Sequence, residues 1–134
     1  MTTFEKEYFR SFEFTSGQIR KYFQSALHDF EIARKDPFPE VRFSFGYQSL
    51  IKAGITLLAK KGGVRVRSVP GHHVKILQKM SEVLRDKDIL TIGDAMRTRR
   101  NDDFYNAGEF ITEKEADDYL EFVERVIQKV KGIV

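Results

Sequence analysis

Along most of this 134-residue chain apolar side chains recur every third or fourth residue, the period of a helix with one buried face. Phe4, Tyr8 and Phe12, with Phe9 beside Tyr8, predict a short amphipathic helix in the first 14 residues that lays aromatic rings on the body of the domain. Thr15 or Ser16 then caps a helix with Ile19, Phe23, Ala26, Phe30 and Ala33 on one stripe, and Asp36-Pro37-Phe38-Pro39 stops it. His28 and Asp29 fall on its polar side, as a solvated pair. Val41 to Lys61 is apolar nearly all round, with Phe43, Tyr47, Leu50, Leu57 and Leu58 on one face and Phe45, Ile51 and Ile55 elsewhere, so it belongs in the middle. Ala53-Gly54 removes bulk at its centre and permits another helix to approach closely.

Val64 to Pro70 alternates apolar and basic residues like a strand, but with no partner in view it reads as an extended loop. Pro70-Gly71-His72-His73 opens a third helix facing inward through Val74, Leu77, Ser81 and Leu84. A fourth starts near Asp88, passes through Ile89, Ile92 and Met96, and ends near Asn106-Ala107-Gly108. Thr112 with Glu115 forms a capping box that launches a last helix over 113–131, with Ala116, Leu120, Val123, Ile127 and Val130 on one face. The expectation is one all-α domain over 1–134. It is a bundle of four to five antiparallel helices running up and down, with 1–14 as an aromatic helical extension.

Composition narrows the function classes. With no cysteine, a disulfide framework and a Cys-containing zinc site are excluded. Charges interrupt MTTFEKEYFRSFEF every few residues, unlike an export signal, and no run approaches the roughly 18 apolar residues of a membrane span, so the expected location is the cytoplasm, with no membrane partner. The net charge of +3 is mild but unevenly spread: residues 64–100 hold nine basic and four acidic residues, and residues 101–134 hold four and nine. Such a split fits an anionic ligand at the middle segment, and equally two segments that pack together and neutralise each other.

The candidate chemistry lies in Met96 to Gly108, MRTRRNDDFYNAG. Arg97, Arg99 and Arg100 offer guanidinium forks suited to phosphate oxygens, and Asn101 and Tyr105 can donate or accept hydrogen bonds beside them. The competing reading pairs these arginines with Asp94, Asp102 and Asp103 as a purely structural cluster. Five residues at about 100° each set Tyr105 about 140° around a straight helix from Arg100, so convergence on one ligand needs a bend, for which Asn101-Asp102-Asp103 is the place. Adjacent His72 and His73 point about 100° apart and cannot chelate one metal as an i, i+4 pair would, so neither metal nor cofactor is expected.

Arg100-Asn101 followed by Tyr105, late in a small helical chain, resembles the Arg-x4-6-His signature of the HEPN superfamily, with Tyr where that family has His. The likeness runs from about residue 15 onward. It takes in an amphipathic first helix, a second helix around Phe45-Gly46-Tyr47, a Gly-His-His opening to the third, and an Arg-Asn helix followed by an acidic capped one. The resemblance implies a homodimer that joins two Arg-Asn motifs in one cleft, with Arg100 on phosphate, Asn101 shaping the turn and Tyr105 at the catalytic position. An unperturbed phenol is protonated at pH 7, which favours a non-catalytic or weakly catalytic module that binds RNA, nucleotide or a nucleotidyltransferase partner. The alternatives are a metal-independent endoribonuclease of a toxin-antitoxin pair, in which His72 or His73 could supply the imidazole, and a plain helical interaction domain.

Overall fold

The computed structural model describes the backbone of residues 2–105 and 110–134, and the side chains of all of these except 103–105. Among the described residues it is an all-α bundle: α1 (Ser16–Lys35), α2 (Pro39–Gly62), α3 (His72–Leu84), α4 (Lys87–Tyr105) and α5 (Glu113–Lys131), with two three-residue strands, β1 (Phe9–Ser11) and β2 (Val64–Val66). No helix among the described residues is long and apolar enough to cross a membrane.

The helix boundaries follow local chemistry. Thr15 accepts from the Gln18 amide at 3.1 Å while the Gln18 side chain accepts from the Thr15 amide at 2.9 Å, satisfying two otherwise orphaned donors at the start of α1. Thr112 and Glu115 do the same for α5, both at 3.1 Å. Pro39 opens α2, where its missing amide hydrogen costs nothing, and Gly63 closes it in the left-handed region at φ 58°. The expected helix end at Asn106-Ala107-Gly108 lies outside the described residues.

Helix α2 is the axis of the molecule, packed against α1, α3, α4 and α5. Its Tyr47, Leu50, Leu57 and Leu58 are all essentially inaccessible. At Gly54 an added Cβ would strike Met80 and Ile76 of α3, so the small residue at this crossing is what lets the two helices meet. Two polar ties join α1 to α2: Asp29 pairs with Lys52 at 2.7 Å, and the Ser49 hydroxyl donates to the Ala26 carbonyl at 2.9 Å. Asp29 is therefore buried against a cation, not solvated as its place in the α1 pattern suggests; His28 is exposed.

The first 14 residues depart most from expectation. Instead of a helix they form a turn and a strand, and β1 pairs antiparallel with β2 in the register Phe9↔Val66, Arg10↔Arg65, Ser11↔Val64. The residues read as an unpartnered loop thus find their partner near the start of the chain. The Arg67 amide donates to the Tyr8 carbonyl at 2.7 Å, and its guanidinium donates to the carbonyls of Lys6 (3.0 Å) and Glu7 (3.2 Å). Glu5 completes the attachment by accepting both Lys75 (2.9 Å) and the buried Lys79 (2.6 Å) of α3. The amino-terminal segment thus straps down the chain that leads into α3.

A candidate anion-binding cleft

On α4 the inward positions Ile89, Gly93 and Met96 are buried, which fixes the rotation of the helix and so decides which arginines share a face. Residues three and four apart are neighbours on a helix, so Arg97, Arg100 and Asn101 fall together, whereas Arg99 turns away. Arg99 instead clasps the start of α5, donating to Glu115 at 2.7 Å and to the Phe110 carbonyl at 3.3 Å. The structure therefore brings Arg97, Arg100 and Asn101 to one place and sets Arg99 to a structural task. Tyr105 ends α4 in the backbone, and its side chain lies outside the described residues.

The opposite wall comes from α2 and α3. The Arg100 guanidinium lies 5.6 Å from the centroid of the Tyr47 ring, a cation–π distance. Tyr47 is 1% exposed, and its hydroxyl sits 2.8 Å from His73 Nδ1. Burial raises the Tyr47 phenol above its ordinary value, against the opposing pull of Arg100 and Arg97, so it stays protonated at neutral pH. Burial first, then His72, Arg100 and Arg97, push His73 down to about 4, so its ring is neutral. Among the described residues the phenol hydrogen has no other acceptor, so Tyr47 donates to Nδ1 and the His73 hydrogen resides on Nε2. His72 carries the reverse tautomer when neutral: its Nδ1 lies 2.7 Å from the Val69 carbonyl, which can only accept, leaving Nε2 as a free acceptor. The two rings meet edge-on at 4.4 Å.

A cavity of about 300 Å³ opens here between the 68–71 loop, the first turn of α3 and the Arg97 and Asn101 side of α4. Gly71, at φ 82°, precedes α3 without a side-chain cap; the His72 amide donates to the Val69 carbonyl at 3.1 Å, and His73 and Val74 of the same first turn line the cavity at the positive end of the helix dipole. Arg97 is half neutralised by Asp94, 2.8 Å away. Among the described residues no carboxylate pairs with Arg100. The cavity thus has the paired Arg97 guanidinium, the Asn101 amide and a helix amino terminus in its wall, with Arg100 beside it over the Tyr47 ring, a set of cations and donors suited to a small oxyanion such as a phosphate.

Tyr47 and His73 are the members that reading the chain in order misses. A tyrosine on an apolar helix face looks like core, and Tyr47 is core. The available signal was that a buried phenol needs a partner for its hydrogen, which an entirely aliphatic core cannot supply. No known protein family, curated protein or solved structure matches this chain.

Proposed function

We propose that this chain is a HEPN-type helical module whose cleft between α4 and the first turn of α3 binds a phosphate-bearing ligand, RNA or a nucleotide, without cutting it at an appreciable rate. One observation carries the reading: Arg100 lies on the Tyr47 ring at the cleft with no carboxylate partner among the described residues, while its neighbours Arg97 and Arg99 are each paired. A phosphate completes that arrangement, with Arg100 gripping it, Arg97 and Asn101 flanking and the α3 amides below. The homodimer and the nucleotidyltransferase partner belong to the same reading, since either can cover a cleft of this size. It calls for no metal or cofactor.

The second reading, a metal-independent endoribonuclease, has an observation of its own in the opposed tautomers of His72 and His73, an acceptor and a donor side by side. Energetics weigh against it. A general acid must carry a labile proton, and with its proton affinity centred at about 4, His73 is imidazolium in only about 0.1% of molecules at pH 7.

The test is RNA binding and cleavage in the presence of a chelator, for the wild type, Arg100→Gln, His72→Gln and Tyr105→Phe. Loss of one charge-assisted contact is worth about 1.5–3 kcal/mol, so Arg100→Gln is expected to weaken binding roughly tenfold or more, with no cleavage by any form. Cutting by the wild type that His72→Gln or Tyr105→Phe abolishes replaces the binding module with the nuclease. A folded Arg100→Gln variant that binds like the wild type removes the cleft from consideration, and a wild type that binds no RNA leaves the plain interaction domain.

A further inference from the structure

At the other end of α2 the surface has a different character. From Tyr47 to Lys60 the helix rises about 20 Å at 1.5 Å per residue, so what lies beside Lys60 is separate from the cleft. There Phe12, Phe14 and Tyr22 form a half-buried aromatic row, with centroids 4.5 Å apart for the first pair and 5.6 Å for the second. The Arg65 guanidinium lies 5.4 Å over the Phe12 ring. Two adjoining hollows of about 580 and 390 Å³ share Ile19 and Lys60: one opens along Phe12, Phe14 and Gly63, the other continues past Arg20 to Lys131. Glu13 also lines the first hollow. Among the described residues Arg20, Lys60, Arg65 and Lys131 form no ion pair with a carboxylate; Val134 also lines the second hollow.

Packing of the amino-terminal segment onto α1 accounts for the aromatic row but not for Arg20, Lys60 and Lys131 lining the two adjoining hollows with Arg65 on the Phe12 ring. Half-exposed rings flanked by unpaired cations are the chemistry that holds single-stranded nucleic acid, with bases stacking on aromatic faces and phosphates following the positive charge. We propose that this face is a second contact for a single strand of RNA, its bases stacked on Phe14 and Phe12 and its phosphates on Lys60, Arg20, Arg65 and Lys131. A strand seated in the cleft and here spans the length of α2. The inference rests on the cleft reading only for the identity of the polymer, because it uses none of the same side chains.

The experiment measures binding of labelled oligouridylates, a tetramer and a dodecamer, to the full chain at about 50 and about 200 mM salt. Both Arg20 and Lys60 are exposed, so the double variant Arg20→Gln, Lys60→Gln keeps the fold. The dodecamer is expected to bind the wild type more tightly than the tetramer. The double variant is expected to lower dodecamer affinity at least tenfold and to flatten its salt dependence by about two phosphate contacts. Phe14→Leu, which keeps the apolar packing but removes the stacking face, is expected to lose severalfold in affinity at unchanged salt slope. Unchanged dodecamer binding by the double variant or by Phe14→Leu overturns the inference whatever Arg100→Gln does. So does equal affinity for a hairpin duplex of the same length. If Arg100→Gln binds normally while the double variant fails, the cleft reading falls and this one stands.

Discussion

Burial of the His73 ring, reinforced by His72, Arg100 and Arg97, decides the protonation chemistry of the cleft, while the 2.8 Å contact with the Tyr47 hydroxyl holds the ring in place. With the phenol donating and the ring buried, His73 is neutral when folded and takes up a proton only near pH 4, against about 6.5 in the unfolded chain. The unfolded state therefore binds the proton first as pH falls. Stability from this group is complete above about pH 6.5, drains away between about 6.5 and 4, and levels off below, by up to about 3 kcal/mol. Urea unfolding at pH 7 and pH 5 is expected to show the first part of this loss, and the difference is expected to shrink in His73→Asn. Glu5, which Lys79 and then Lys75 hold down to about 2, acts in the same direction but in a lower window, from about 4.5 to about 2, so the two groups separate by pH. An anion on Arg100 and Arg97 removes part of the repulsion felt by His73, so phosphate is expected to raise its midpoint in an NMR titration.

At the scale of elements, the capped helices were legible and the strap was not. Thr112 with Glu115 announces α5 because a capping box needs only residues three apart, Thr15 proves to be the α1 cap of the two candidates Thr15 and Ser16, and the Ala53-Gly54 gap marks a close helix approach that the structure gives to α3. Gly54→Ala is expected to cost about 1–3 kcal/mol through the clash with Met80 and Ile76, outweighing the roughly 1 kcal/mol helix-propensity gain of alanine, as a lowered denaturation midpoint shows. By contrast β1 and β2 are three residues each, and short alternation carries no sign of a partner far along the chain; Phe9 beside Phe4, Tyr8 and Phe12 imitated a helical stripe. The three arginines of α4 look equivalent as a cluster, yet the 100° step already separates Arg99 from the pair that shares a face. What no local rule supplies is Glu5 lying against Lys79, which is only 3% exposed. Glu5→Gln leaves that ammonium buried with a weaker partner, at an expected cost of about 2 kcal/mol in chemical denaturation. Adding Lys79→Met, which removes the buried charge, is expected to restore most of the loss.

Across the whole molecule, the uneven charge of the sequence is partly spent inside the fold. Arg99 meets Glu115, while Arg125 at 2.9 Å and Lys129 at 2.7 Å close on Asp86, tying α5 to the turn between α3 and α4. Of these pairs Arg99–Glu115 joins the basic segment to the acidic one and so neutralises part of the asymmetry, whereas the Asp86 pairs run the other way; among the described residues Arg100 has no carboxylate partner. The overall architecture was legible because a helix that is apolar all round, as α2 is, can sit only at the centre. The cleft was half legible, since its cations are local in sequence while Tyr47 and His73 come together only in the folded chain. That meeting also bears on time as well as place. The Tyr47 amide lies in α2, the most deeply buried helix, where deuterium is expected to enter only when the entire bundle opens. Because the ring in that slow region holds the histidine at the mouth of the cleft, a bound phosphate compound is expected to slow exchange across α2 by the factor 1 + [L]/Kd, making the oldest protons in the molecule a gauge of what occupies its surface.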